Sequence, residues 1–152
     1  MMEKWMQLAL EEARIAATEG EIPVGAVLVK DGKVIARAHN RRENDHDPTA
    51  HAEVLCMRQA AGALQDWRLR DCTLYVTLEP CPMCAGAMLM SQLGSCVYGA
   101  NDERQGCCGS VYDLPGDPAL AGVTKWQSGM MAEECAEMMT TFFAGRRKEN
   151  LT

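Results

Sequence analysis

The dipeptide Asp31-Gly32 separates two runs of β-branched and small apolar residues, Val24 to Val29 and Lys33 to Ala38. Both central residues of a type I′ turn need φ > 0, which Gly adopts freely and Asp tolerates. Asp-Gly between two such runs therefore specifies a tight β-hairpin. An antiparallel pair this early constrains the rest of the sheet. The later strand-like runs are Cys72 to Leu78, Ser95 to Tyr98 and Val123 to Trp126, and none is a hairpin neighbour of the one before it. The expectation is an α/β fold of three layers, α/β/α, with a mixed five-stranded sheet flanked by helices.

Four helices are expected. Met6, Leu10, Ala13 and Ala17 recur at helical spacing between Met1 and Gly20. Thr49 is a candidate cap for a helix over Ala50 to Ala61, closed by Gly62. Pro80 opens another helix, where its missing N–H costs nothing, and Gly94 closes it. A last helix lines up Ala132, Cys135, Ala136, Met139, Phe142 and Phe143. Residues 101–121 are rich in Gly, Pro and Asp and read as loop with a short helical turn. No repeat or Pro/Ser-rich linker divides the chain, so residues 1–152 read as one domain.

Composition excludes some classes. With 47% hydrophobic and 24% charged residues, this is not a disordered chain. A net charge of −6 argues against a broadly basic nucleic-acid binder. Local basic faces remain: Lys30, Lys33, Arg37, Arg41 and Arg42 stand against Asp31 alone, and Arg146, Arg147 and Lys148 stand against Glu149. Met1 to Leu10 carries Glu3 and Lys4 and has no apolar leader. No run approaches the ~18 apolar residues of a membrane span. The eight cysteines therefore read as reduced thiols of a cytoplasmic protein, and close pairs among them are metal or redox candidates.

Two motifs carry chemistry. His51-Ala52-Glu53 and Pro80-Cys81-Pro82-Met83-Cys84 each fall at the start of a predicted helix. Cys81 and Cys84, three apart, share a helix face. A helix N-terminus favours the thiolate form that metals bind. With the neutral imidazole of His51 they make a zinc set of three, which leaves a fourth position open to water, as catalytic zinc sites do. Glu53 then lies beside the metal as a proton carrier. Other readings stay open: a Cys-x-x-Cys redox pair, or a structural zinc completed by Cys72, Cys56 or His39.

His-x-Glu followed by Pro-Cys-x-x-Cys is the signature of zinc nucleobase deaminases. The chain resembles the bacterial tRNA-specific adenosine deaminases, of the zinc-dependent cytidine and deoxycytidylate deaminase superfamily, from about Trp5 to Arg147. The stretches that carry the resemblance are Ile22-Pro23-Val24-Gly25-Ala26-Val27, His46 through Glu53, and Tyr75 through Cys81 with Met83-Cys84-Ala85-Gly86-Ala87-Met88.

The resemblance implies a cytidine-deaminase-like fold and one zinc ion per subunit on His51, Cys81 and Cys84. Glu53 becomes the proton shuttle in hydrolysis of the wobble adenosine of a tRNA, an arginine tRNA, to inosine. It assigns Asn40 and Val24 to the base pocket, the N–H of Ala52 to the attacking oxygen, and Asp102 to neighbouring nucleotides. It also implies the tRNA anticodon loop as partner and a homodimer, with no membrane. Plainer roles compete for three of these residues: hairpin end for Asn40, core for Val24, turn cap for Asp102. The helix Cys81 to Ser91, rich in Ala and Met, would suit an interface or plain core. The alternative function is deamination of a small base or nucleoside, guanine or cytosine in type. Departures from the pattern lie outside the zinc motifs, at Met90, Gln92, Asn101, Arg104 and Leu120 to Val123.

Overall fold

The Asp31-Gly32 turn forms as its sequence requires, with φ of 53° at Asp31 and 71° at Gly32. It joins β1 (Gly25–Lys30) to β2 (Lys33–His39) as an antiparallel pair. The structure is a computed structural model that describes the backbone over residues 2–150, with side chains over 2–146. The remaining elements are α1 (Glu3–Thr18), α2 (Ala52–Leu64), β3 (Cys72–Leu78), α3 (Pro82–Met90), β4 (Ser95–Ala100), β5 (Lys125–Gln127) and α4 (Ala132–Asn150). A single 3₁₀ turn occupies Pro118–Leu120.

One five-stranded sheet runs in the order β2-β1-β3-β4-β5. β1 is antiparallel to both neighbours, whereas β3, β4 and β5 are parallel. The alternation of side chains along each strand makes two cores. Ala26, Leu28, Leu74, Val76, Cys96 and Tyr98 face α2 and α3. Val27, Val29, Tyr75 and Val97 face α1 and α4. The expected three-layer α/β/α architecture with a mixed sheet is therefore present. The parallel strands deliver their C-terminal ends to one edge of the molecule, where α2 and α3 begin.

Gly25 is fixed by the approach of α1. A Cβ there would stand 2.0 Å from the carbonyl oxygen of Ala9 and 2.5 Å from the nitrogen of Ala13. Only a residue without a side chain lets the helix lie this close to β1.

Several boundaries move. α2 is capped at His51, whose φ of −80° and ψ of 150° are extended; Thr49 instead hydrogen-bonds Asp47 in the preceding turn. That helix runs through Gly62 and stops at Gln65, which takes the left-handed conformation at φ 53°. α3 begins at Pro82 rather than Pro80, and its exit is Gln92 at φ 56° rather than Gly94. Gly94 lies against the carbonyl of Arg70, 2.2 Å from where its Cβ would be. β5 is the three residues Lys125–Gln127, two positions later than Val123. Among the described residues, no helix is long and apolar enough to cross a membrane.

Candidate active site

His51 and Cys81 occupy equivalent places: each is the last extended residue before a helix. Neither side chain is spent on capping its own helix, so both are free to point at a common centre. Pro82 fills the first helical position of α3, where an N–H would have no partner. Cys84 follows one turn on and is fully buried.

The Nδ1 atom of His51 lies 3.5 Å from Sγ of Cys81 and 3.4 Å from Sγ of Cys84. All three donor atoms fall within 4.8 Å of one another. Ligands about 2.0–2.3 Å from a shared zinc at tetrahedral angles stand about 3.3–3.8 Å apart, so the set fits that ion. Cys81 is pulled down to about 4, chiefly by the Cys84 thiol donating to it and by the imidazole beside it. The bond to Cys81 raises His51 above its ordinary value against the effect of burial. Sharing its proton with Cys81, together with burial, pushes the Cys84 thiol up. The neighbouring thiol and imidazole thus favour the thiolate form of Cys81, the form that metals bind.

Among the described residues, no fourth protein ligand joins the set. Cys56 donates to the carbonyl of Ala36 at 3.5 Å. Both ring nitrogens of His39 are engaged by Glu12 and Glu19, at 2.9 and 2.7 Å. Cys72 is buried at the far end of β3. Among the described residues, no other group of three His, Cys, Asp or Glu donors meets this spacing. A closed structural site built from these candidates is thereby excluded.

Glu53 is 4% exposed, in the first turn of α2. Burial pushes its carboxyl up to about 7, so proton uptake and release both lie within reach near neutrality. It lines the floor of an open cavity of about 890 Å³ together with His51, Ala52 and Cys81.

Asn40, Val24 and Asp102, the other positions singled out in the sequence, line the same cavity. Asn40 is 5% exposed; its Oδ1 accepts from the N–H of Arg42 at 3.3 Å, and its own N–H donates to Val24, closing the hairpin. Asp102 caps a turn, with Oδ1 accepting from the N–H groups of Arg104 and Gln105 at 3.0 and 3.2 Å. Both residues therefore take the plainer turn-closing role and also line the cavity. Asn101 and Arg104, two of the departures, are also on the wall, whereas Met90 is 78% exposed on α3.

The basic stretch divides. Arg37 pairs with Glu11 and Glu12, and Arg41 pairs with Glu19 and Asp45. Only Arg42 of that stretch reaches the cavity. Across the mouth, the Arg146 guanidinium lies 4.9 Å from the Phe142 ring centre and donates to the carbonyl of Gly20. The Arg147 side chain falls outside the described residues.

Sequence reasoning missed two buried carboxylates that hold the cavity's loops. Glu21, 1% exposed, accepts from the N–H groups of Glu43 and Asn44 and from the Asn44 amide. Glu79, 2% exposed, does the same for the loop after β4. Glu21 lies in the loop between α1 and β1 and Glu79 just after β3, and nothing in one sequence distinguishes such an acid from a solvated one.

An α/β frame carrying a three-donor cluster beside a buried glutamate defines a deaminase, and residues 2–147 match the family MafB19-like deaminase. Relatives narrow this. The tRNA-specific adenosine deaminase of Bacillus subtilis is 46% identical over 147 residues, covering 97% of this chain and 91% of that one. The Haemophilus influenzae protein of the same name is 47% identical over 148 residues, covering 97% and 86%. A solved tRNA:A34 deaminase superposes with a TM-score of 0.86 at 44% identity, over 89% of this chain and 98% of that one. The Bacillus subtilis guanine deaminase is also similar, at 41% identity and a TM-score of 0.64, but over only 66% of this chain and 65% of its own. The chain belongs to the tRNA-specific adenosine deaminases.

Proposed function

We propose that this protein hydrolyses the adenosine at the wobble position of an arginine tRNA to inosine, releasing ammonia. The observation that carries the reading is the cluster of His51, Cys81 and Cys84 beside the buried Glu53, at the floor of a cavity open enough for a nucleotide and its neighbours. End-to-end similarity to tRNA-specific adenosine deaminases supports RNA as the substrate.

One zinc ion per chain is held by His51, Cys81 and Cys84. When bound, it supplies the Lewis acidity that brings water to a pKa of about 7. Glu53 takes the proton of the attacking water and hands it to ring nitrogen N1 of adenine as C6 is attacked. It then carries the second proton to the departing amine, so water enters and ammonia leaves. The N–H of Ala52, at the start of α2, donates to the developing oxygen, where the helix dipole favours negative charge.

Val24 and its neighbours Ile22 and Leu78 enclose the base, and the Asn40 amide hydrogen-bonds its edge. Asp102 and Arg104 face the flanking nucleotides of the anticodon loop. Extrusion of the base into such a pocket is least costly in a single-stranded loop. The protein works as a cytoplasmic homodimer, with the single domain of residues 1–152 as its subunit.

The test is direct. Zinc-loaded protein is incubated with an arginine-tRNA transcript bearing A34, alongside free nucleosides and bases. Inosine in the tRNA alone is the expected result. Turnover of guanine or a nucleoside without tRNA editing would move the protein to the small-substrate deaminases, the class the guanine deaminase similarity favours.

A further inference from the structure

The deamination chemistry has no use for Glu79. This residue follows β3 and is 2% exposed, yet it accepts four hydrogen bonds. Oε1 accepts from the N–H of Asp102 at 3.0 Å and from the Ser110 hydroxyl. Oε2 accepts from the N–H groups of Cys108 and Ser110, each at 3.0 Å. All four donors belong to the stretch 102–110. A buried carboxylate is tolerated only with such compensation, and here main-chain amides supply most of it. The loop closes around it without slack: a Cβ on Gly106 would stand 2.3 Å from Cδ of Glu79.

That stretch is also the cavity wall. Asn101, Asp102, Arg104 and Gln105 line the cavity with Asn40 and Arg42, and Glu79 borders it as well. The wall contains no regular helix or strand; the Asp102 turn and the Glu79 carboxylate hold its 101–105 part, while further along the Cys107 N–H donates to the Pro80 carbonyl and the Tyr98 hydroxyl to the Cys108 carbonyl. The metal-ligand cluster and Glu53 are held differently, by the starts of α2 and α3. Among the described residues, Glu79 hydrogen-bonds none of them.

From this geometry we infer that Glu79 is a positioning residue for the polynucleotide: it sets the 101–105 wall and thereby governs how tightly the RNA loop is held, while the deamination step depends on it little. The inference rests on the reading of the substrate as a tRNA.

Glu79→Gln isolates the effect. The amide has the size of the carboxyl group, and its oxygen can keep both the Cys108 and Ser110 N–H groups. Its NH₂ then faces the N–H of Asp102, donor against donor, which frees the wall where the cavity begins.

The experiment compares wild type and Glu79→Gln, both zinc-loaded, on the A34 transcript. It also titrates a fluorescent anticodon stem-loop onto each in a Glu53→Gln background, which reads binding without turnover. The expected result is a rise of about 10- to 100-fold in KM for tRNA and a matching rise in stem-loop Kd. Catalytic rate at saturation should stay within about threefold, with zinc content unchanged. Ser110→Ala removes one donor without altering a charge. It carries the test if the first variant fails to fold, with an expected KM rise of about 2- to 10-fold. Unmoved KM and Kd, or a fall in kcat with lost zinc, overturns the inference. If the wild type is silent on tRNA, the substrate assignment fails first and takes the inference with it. If the wild type edits and the variants behave identically, the inference fails alone.

Discussion

Replacing Gly106 with alanine places a methyl group 2.3 Å from Cδ and 2.4 Å from Oε2 of Glu79, and 2.5 Å from the carbonyl oxygen of Asp102. Comfortable carbon contacts lie at about 3.5–4.0 Å. Gly106 is not among the glycines with positive φ, so the cost is steric and not conformational. Neither neighbour can easily retreat. Glu79 is held from four sides, and the Asp102 carbonyl accepts the N–H of Gly106 itself at 2.9 Å. Overpacking of this kind costs about 1–3 kcal/mol. Displacing the carboxylate from one amide adds about 1.5–3 kcal/mol. A combined loss of about 4 kcal/mol lowers Tm by about 8–16 °C in a chain of this size. Gly62 provides the opposite control, because nothing lies within 4 Å of its Cβ position and it sits inside α2. Gly62→Ala should gain about 0.5–1 kcal/mol from helix propensity, raising Tm by a few degrees. Calorimetry on zinc-loaded samples of equal metal content reads both. A Gly106→Ala protein melting within about 2 °C of wild type would refute the picture of a wall sealed around Glu79.

Three further outcomes are expected. Glu53→Gln should keep the fold and the metal and lose about 10²- to 10⁴-fold in kcat on tRNA, measured with zinc content on the same sample. Removing zinc with a chelator should abolish editing, and adding zinc back should restore it; His51→Ala should bind the metal too weakly for such rescue. Glu21 gives a pH signature. Burial pushes its carboxyl up, but the N–H and amide groups of Asn44 and the N–H of Glu43 outweigh that and hold it below its ordinary value of 4.5. The folded form therefore gains from ionised Glu21 above that pH and loses the gain as pH falls through the lower folded value. Unfolding midpoints should drop more steeply on acidification in wild type than in Glu21→Gln, and parallel curves would refute this.

The legible part of the fold came from local chemistry. The Asp31-Gly32 turn, the β-branched runs beside it and the two metal motifs are written in neighbouring residues, and each formed. Helix ends were less legible because side-chain caps did not decide them. His51 and Cys81 occupy the cap positions for the sake of the cluster, while Thr49 and Pro80 only lead up to them. Gln65 and Gln92 take left-handed exits usually given to Gly or Asn, which no propensity at those positions announces. How the charge of the stretch from Lys30 to Arg42 is spent was not legible for a tertiary reason: Glu11 and Glu12 of α1, with Glu19 just after it, pair with two of its arginines. The roles of Glu21 and Glu79 were invisible because their partners lie 22 and more positions away.

The sheet order also sets how far apart in the chain the parts of the cluster lie. His51 stands 30 positions from Cys81 and 33 from Cys84. The β1–β2 hairpin closes through near neighbours, whereas Ala26 must find Val76 to pair β1 with β3. β4 can join in parallel only after α3 has crossed over. Contacts of such separation form late, because loop closure is slow to be repaid. His51 and the two thiols are brought together by the same long-range pairing that seats β3 beside β1. A metal ion held by these three residues would therefore tie together elements from distant parts of the chain and add its binding free energy to the folded form.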